Sequence, residues 1–318
     1  MKITVIGCGR WGSLITWYLD TLGHQLTLYG RSSSAKMQAF LTERKNDLLT
    51  LPPSVNLCTE LSCVEEAEVV VISVGAQSLQ GLFDELNSYN LSNKSVVLCM
   101  KGIEIDTGRR LSQIAEENLP ADCPVAVWLG PGHVQEFYQG IPNCMVIDSN
   151  DRDVKDRLIR AFSGPLIRFY YGDDLIGNEV GAAAKNVIGI AAGMLDGFGL
   201  SSLKGALTAR GTREISRLIE KMGGNPISAY GLCHLGDYGA TVFSPYSHNR
   251  RFGEAFIKKE TFDHLAEGYY TVQALINLAK KHNVELPICE TVYRILFEEA
   301  NPADALALLF TRDIKTEF

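Results

Sequence analysis

The chain opens on a short apolar run, Ile3-Thr4-Val5-Ile6, followed at once by Gly7-Cys8-Gly9-Arg10-Trp11-Gly12 and then by Ser13-Leu14-Ile15-Thr16-Trp17-Tyr18-Leu19. A buried strand, a glycine turn and a helix in immediate succession make the first half of a βαβ unit. In such a unit Gly7 forms the tight turn, Gly9 lets a pyrophosphate approach the backbone, and Gly12 lets the helix pack closely on the sheet. The hexapeptide alone says little; its place between strand and helix predicts a dinucleotide site.

The following sequence fits a doubly wound sheet. Strand-like runs at 3–6, 25–29, 67–74, 95–100, 125–129, 143–147 and 166–171 alternate with helical stretches. Several are apolar almost throughout, as in Ala67-Glu68-Val69-Val70-Val71-Ile72-Ser73-Val74, which suits strands covered on both faces. After about residue 175 the pattern becomes almost wholly helical, through 206–222, 259–282 and 288–300. The expected fold is therefore α/β: an N-terminal Rossmann-type doubly wound sheet followed by an all-helical C-terminal domain. The polar stretch Tyr171-Gly172-Asp173-Asp174 divides a dinucleotide-binding domain, 1–174, from a helical substrate and catalytic domain, 175–318, with a cleft expected between them.

Cofactor choice is read at the end of the second strand, Gln25-Leu26-Thr27-Leu28-Tyr29. An acidic residue about 20 positions after the glycines would bind the ribose 2′-hydroxyl of NAD. Here the chain continues Gly30-Arg31-Ser32-Ser33-Ser34, which offers a guanidinium and three hydroxyls and no carboxylate. That composition suits a 2′-phosphate and favours NADP(H), with NAD(H) still possible.

A second glycine pattern lies in the helical part. Between residues 181 and 197 every fourth position is glycine except Lys185, in Gly181-Ala-Ala-Ala-Lys185-Asn186-Val-Ile-Gly189-Ile-Ala-Ala-Gly193-Met-Leu-Asp196-Gly197. A spacing of four keeps these positions on one slowly drifting stripe of a helix, so a lone ammonium projects from a face otherwise bare of side chains. Glycine costs a helix about 1 kcal/mol relative to alanine, so the stripe calls for close backbone packing or room for a ligand. Without such a role, Lys185 would simply snorkel outward from a buried helix.

Bulk properties narrow the function classes. With 318 residues, 46% of them hydrophobic, the chain can fill a substantial core. A formal net charge of -7 argues against nucleic acid and anionic membranes as general partners, so an anionic substrate must be held by a local cluster. No apolar run approaches the ~20 residues that span a bilayer, and the first strand starts too early for a signal peptide, so a cytoplasmic protein is expected. Eight cysteines, at 8, 58, 63, 99, 123, 144, 233 and 289, form no CxxC pair and read as reduced packing residues, with no zinc site.

Ligands in such sheets sit outside the carboxyl ends of the strands. The run at 95–100 ends in Lys101-Gly102, and the run at 125–129 ends in Gly130-Pro131-Gly132-His133-Val134. In the helical part, Gly231-Leu232-Cys233-His234-Leu235-Gly236-Asp237 precedes Ser247-His248-Asn249-Arg250-Arg251-Phe252-Gly253. Two arginines near a helix start oppose the macrodipole unless an anion is shared there, and Ser247 or Asn249 could cap that helix.

Taken in order, Gly7 to Gly12, Lys101-Gly102, Gly130-Pro131, the Lys185-Asn186 stripe, Thr208-Ala209-Arg210-Gly211, Gly236-Asp237, Asn249 to Gly253 and Glu267-Gly268-Tyr269 resemble the bacterial NAD(P)-dependent glycerol-3-phosphate dehydrogenases along nearly the whole chain. The resemblance implies reversible reduction of dihydroxyacetone phosphate to sn-glycerol 3-phosphate, supplying phospholipid backbones, by a homodimer that needs no metal. It implies Lys185 and Asp237 as the catalytic pair. Substrate contacts would come from Lys101, Gly130, Gly132, Lys185, Asp237, Ser247, His248, Asn249 and Arg250. Cofactor contacts would come from Gly7, Gly9, Arg10, Trp11, Gly12, Arg31, Lys101, Val134, His248 and Glu267.

The sequence departs from that pattern at Gly132 and His133, where a small hydroxyl residue and Phe are usual, at His234 for Gly, and at His248 for Arg. The last change removes a charge-assisted contact worth roughly 1.5 to 3 kcal/mol. Histidines 133, 234 and 248 could build a phosphate pocket that strengthens as imidazoles protonate, or they could be neutral drift. Two other functions fit the same residues: a ketopantoate reductase-like enzyme acting on another keto acid, and a non-catalytic NADP-binding sensor.

Overall fold

The computed structural model describes Met1–Thr311 together with Thr316 and Glu317, except for the side chain of Phe310. The chain divides into two compact units, Met1–Lys101 with Arg109–Glu179, and Gly102–Gly108 with Val180–Phe318. Compared with the expected 174/175 division, the start of the long helix Leu175–Gly197 belongs with the sheet, and the short Gly102–Gly108 segment belongs with the helices.

The first unit is built on eight strands: β1 (Lys2–Ile6), β2 (Gln25–Tyr29), β3 (Asn56–Cys58), β4 (Val69–Ile72), β5 (Ser95–Leu98), β6 (Val125–Leu129), β7 (Asn143–Ser149) and β8 (Ile167–Tyr171). Their order is β3-β2-β1-β4-β5-β6-β7-β8. Helices α1 (Arg10–Thr21), α2 (Ala35–Glu43), α3 (Leu79–Leu86), α4 (Leu111–Asn118), α5 (Val134–Tyr138) and α6 (Arg152–Phe162) connect them. Strands β4, β5 and β6 are buried at every residue, as continuous apolar runs should be when helices cover both faces. Every pairing is parallel except β6 with β7. The reason is local: α5 has only five residues, about 7 Å of rise, too short to carry the chain back along a strand of similar residue number for a parallel return.

The second unit holds most of α7 (Leu175–Gly197), then α8 (Lys204–Lys221), α9 (His248–Lys258), α10 (Glu267–His282), α11 (Pro287–Phe297) and α12 (Pro302–Phe310). The expected single helix over 259–282 is corrected. Lys259 turns left-handed (φ 58°) and ends α9, and α10 begins only at Glu267. Helix α12 was not anticipated; Asn301 caps it by accepting from the backbone N–H groups of Ala303 and Asp304 at 2.9 and 3.2 Å, with Pro302 at its first position.

Among the described residues all eight cysteines are free thiols, no helix is long and apolar enough to cross a membrane, and no cluster of His, Cys, Asp or Glu is arranged to hold a metal ion.

Candidate active site

In the first unit the three glycines occupy three different environments. Gly7 has φ +111°, and a Cβ there would lie 2.1 Å from the Ser73 carbonyl oxygen. A Cβ on Gly12 would lie 1.9 Å from the Gly7 carbonyl oxygen, so α1 seats directly on the turn. Around Gly9, which precedes α1 in an extended conformation, nothing lies within 4 Å of such an atom. An open, side-chain-free approach to a helix N-terminus is what a pyrophosphate requires, and no side chain caps α1. The indole Nε1 of Trp11 is buried without a hydrogen-bond partner among the described residues. These features fit a dinucleotide.

The other residues of this unit lie near the strand ends. Arg10 donates to Gln135 Oε1 at 3.2 Å, Trp11 packs at 6.0 Å from the ring of Phe137, and Val134 opens α5. Lys101, just beyond β5, donates from Nζ to the Gly130 carbonyl at 2.7 Å, bringing those two predicted residues together. Gly132 has φ +140°, and a Cβ there would fall 2.1 Å from the Phe137 ring. Glycine at this position therefore follows from the local packing. Arg31 donates to Glu85 Oε1 at 2.6 Å.

In the second unit the glycine stripe is filled by protein. A Cβ on Gly193 would sit 1.8 Å from the Arg250 carbonyl oxygen, and one on Gly253 would sit 2.1 Å from the Ile190 carbonyl oxygen, so α7 and α9 cross with their backbones almost in contact. Gly189 faces Thr241, Gly197 faces Ile257, and Gly181 faces His234.

Lys185, about two turns of α7 before that crossing, faces the 235–243 segment and does not snorkel outward. It is only 6% exposed; its Nζ lies 2.9 Å from Asp237 Oδ2 and donates to Thr241 Oγ1 at 2.6 Å. Asp237 is 1% exposed. A buried charge is tolerated when a counter-charge and hydrogen bonds satisfy it, and both are present. Thr241 was missed by sequence reading. It follows Asp237 by four residues, the spacing that places two side chains on one helical face, and this was the available signal.

Asn249 ties the neighbouring helices together: its side chain donates to Asn186 Oδ1 at 3.0 Å and accepts from the Gly268 backbone N–H at 2.9 Å. Ser247, not Asn249, caps α9 by accepting from the Arg250 backbone N–H at 3.3 Å. Arg250 donates from Nη1 to Asp196 Oδ2 at 2.6 Å and to Glu254 Oε2 at 3.1 Å, so carboxylates of its own unit hold its guanidinium. His248 opens α9, lies 3.3 Å from the Leu265 carbonyl oxygen and stacks on His264 at 5.0 Å. Glu267 opens α10.

His234 corrects the idea of three protonating histidines. It is fully buried; its Nδ1 donates to the Gly181 carbonyl at 2.8 Å, and its Nε2 accepts from the Tyr238 hydroxyl at 2.7 Å. Burial lowers its pKa to about 4, the Gly181 hydrogen bond opposes that shift, and the Lys185 charge adds to it. The ring is neutral at physiological pH and does not compete with Lys185 for Asp237.

The arrangement is a dinucleotide-type glycine turn in one unit and a buried lysine–aspartate–threonine constellation in the other, the parts of a nucleotide-linked oxidoreductase. Comparison with known proteins names the family. Residues 2–155 match the NAD-dependent glycerol-3-phosphate dehydrogenase N-terminus, and residues 174–307 match the C-terminus of the same family. A glycerol-3-phosphate dehydrogenase [NAD(P)+] of Fusobacterium nucleatum is 35% identical, the alignment covering 100% of this chain and 98% of that protein. One from Thermoanaerobacter is 34% identical, covering 100% and 99%. A crystal structure of the Coxiella burnetii glycerol-3-phosphate dehydrogenase superimposes with a TM-score of 0.92 at 27% identity, covering 98% and 99% of the two chains. The chain belongs to the NAD-dependent glycerol-3-phosphate dehydrogenase family.

Proposed function

We propose that this chain catalyses the reversible NAD(P)H-dependent reduction of dihydroxyacetone phosphate to sn-glycerol 3-phosphate, with NADP(H) favoured, and that the product feeds glycerophospholipid synthesis. The observation that carries the reading is the buried Lys185, held between Asp237 and Thr241. Family membership and the relatives' names supply the substrate.

A bound nicotinamide supplies the hydride, or accepts it in the reverse direction. As the substrate carbonyl carbon is reduced, negative charge gathers on its oxygen, and Lys185 opposes that charge and gives the oxygen a proton. In the oxidative direction the neutral Lys185 amine takes the alcohol proton. Asp237 and Thr241 fix where Nζ stands, and burial keeps water from weakening the interaction. Asn249 and Asn186 hold α7, α9 and α10 in register around this point.

The substrate phosphate needs donors, and Arg250 is engaged by Asp196 and Glu254. The Ser247-capped first turn of α9, with His248, is the anion site on this reading, helped by the helix dipole. Lys101 adds a second positive charge for the substrate. A homodimer belongs to the same proposal and is read by light scattering.

Lys185→Ala tests the assignment. Turnover of dihydroxyacetone phosphate should fall about 10²- to 10⁴-fold, the range for loss of a general acid, while the NADPH dissociation constant stays within about twofold. Undiminished turnover would overturn the role of Lys185. A reductase for a keto acid would instead ignore dihydroxyacetone phosphate, and a sensor would bind NADPH and turn over nothing.

A further inference from the structure

In this fold the end of β2 is where the ribose 2′ substituent of a dinucleotide is read. Past Tyr29 the chain turns through Gly30 to Arg31, and the turn is fixed: a Cβ on Gly30 would meet Cys8 Sγ at 2.7 Å and Met37 at 3.0 Å. Ser34 is occupied as the cap of α2, and the Ser32 carbonyl accepts from Gln38 Nε2 at 2.7 Å. The only formal charge between residues 30 and 34 is that of Arg31.

A carboxylate nevertheless reaches this place from another element. Glu85, on α3, accepts from Arg31 Nη2 at 2.6 Å, and the two side chains are 46% and 66% exposed, respectively. Both charges also act on Tyr29. Its hydroxyl pKa is raised first by burial and then by Glu85, while Arg31 lowers it. The three groups therefore lie within one another's fields at the end of β2.

The consequence follows from charge. A 2′-phosphate brings about two negative charges to a guanidinium that already faces a carboxylate, so Glu85 opposes much of what Arg31 attracts. A 2′-hydroxyl brings no charge and can donate to a carboxylate oxygen. We propose that Glu85 sets the cofactor selectivity of this chain: paired with Arg31, it offsets the attraction for a 2′-phosphate and offers an acceptor to a 2′-hydroxyl, so Arg31 separates NADP from NAD only weakly. The proposal rests on the dinucleotide reading of residues 7–12 and adds a selectivity residue that the glycine motif does not contain.

The test measures equilibrium binding of NADP+ and NAD+ to the full chain by intrinsic fluorescence, in wild type, Glu85→Gln and Glu85→Asp, at low salt and at about 0.5 M salt. Glu85→Gln should raise the ratio of the NAD+ to the NADP+ dissociation constant about fivefold, the scale of an exposed charge interaction, and salt should shrink the difference. Glu85→Asp keeps the charge and should leave the ratio within about twofold of wild type. A ratio in Glu85→Gln within about twofold of wild type, with both dinucleotides still bound, would overturn the selectivity role alone. Failure of wild type to bind either dinucleotide would overturn the dinucleotide reading itself.

Discussion

Both units use glycine to clear a surface, and they clear it for different occupants. At Gly9 the missing side chain leaves open space, with nothing within 4 Å of where a Cβ would stand. At Gly193 the space is taken by the backbone of α9, with the Arg250 carbonyl 1.8 Å from the same imagined atom. On the proposed reading the first glycine makes room for a dinucleotide, whereas the second lets α7 and α9 approach until their backbones almost touch. A glycine-rich motif therefore reports close approach without saying what approaches. The environment of the absent Cβ supplies that.

The largest test of this contrast is Gly193→Ala. Alanine would favour the helix by about 1 kcal/mol, yet its methyl must displace backbone at the α7–α9 crossing. We expect a net loss of about 3 kcal/mol in chemical denaturation. A variant as stable as wild type would mean that the crossing is looser than described.

A second test uses the ring packed against the first glycine of the stripe. A Cβ on Gly181 would lie 3.0 Å from His234 Cβ, and the pKa of His234 falls from 6.5 to about 4 on burial. A depressed pKa means that its stabilisation is complete above the unfolded value near 6.5 and is lost as pH falls through about 4. The difference corresponds to about 3 kcal/mol. His234→Gln should flatten the fall in unfolding free energy between those pH values by about that amount. An unchanged slope would show that the imidazole already titrates normally. For the same reason, any pH dependence of substrate affinity between 6 and 8 has to come from a group other than His234.

The smallest expected change in stability is at the open site. Gly9→Ala meets no atom and keeps an extended backbone (φ -74°, ψ -175°), so stability should stay within about 0.5 kcal/mol of wild type. Dinucleotide affinity should nevertheless fall at least about tenfold, because the methyl occupies the approach to α1. Loss of stability with binding intact would reverse the contrast between the two glycines.

Much of the fold was legible because burial writes itself into composition. Apolar runs gave the sheet's central strands, and the strand–glycine–helix succession gave the nucleotide side. Other features left weaker traces. Strand β3 is three residues long and has no run to detect. Residues 259–266 read as helix because Phe262, Leu265 and Ala266 mimic helical spacing without glycine or proline, whereas the break is made by the left-handed Lys259. The reversal of β7 depends on the length of α5, which residue type does not reveal. At the site, Lys185 and Asp237 were legible as a pair through the family resemblance, but the engagement of Arg250 by Asp196 was not, because no motif links those two residues and they meet through the α7–α9 crossing.

The most direct measurement follows the absorbance of NADPH and NADH separately as dihydroxyacetone phosphate is added to the wild-type chain. Substrate-dependent oxidation of NADPH is expected, with NADH also used. Bound NADPH that is not oxidised by dihydroxyacetone phosphate would contradict it.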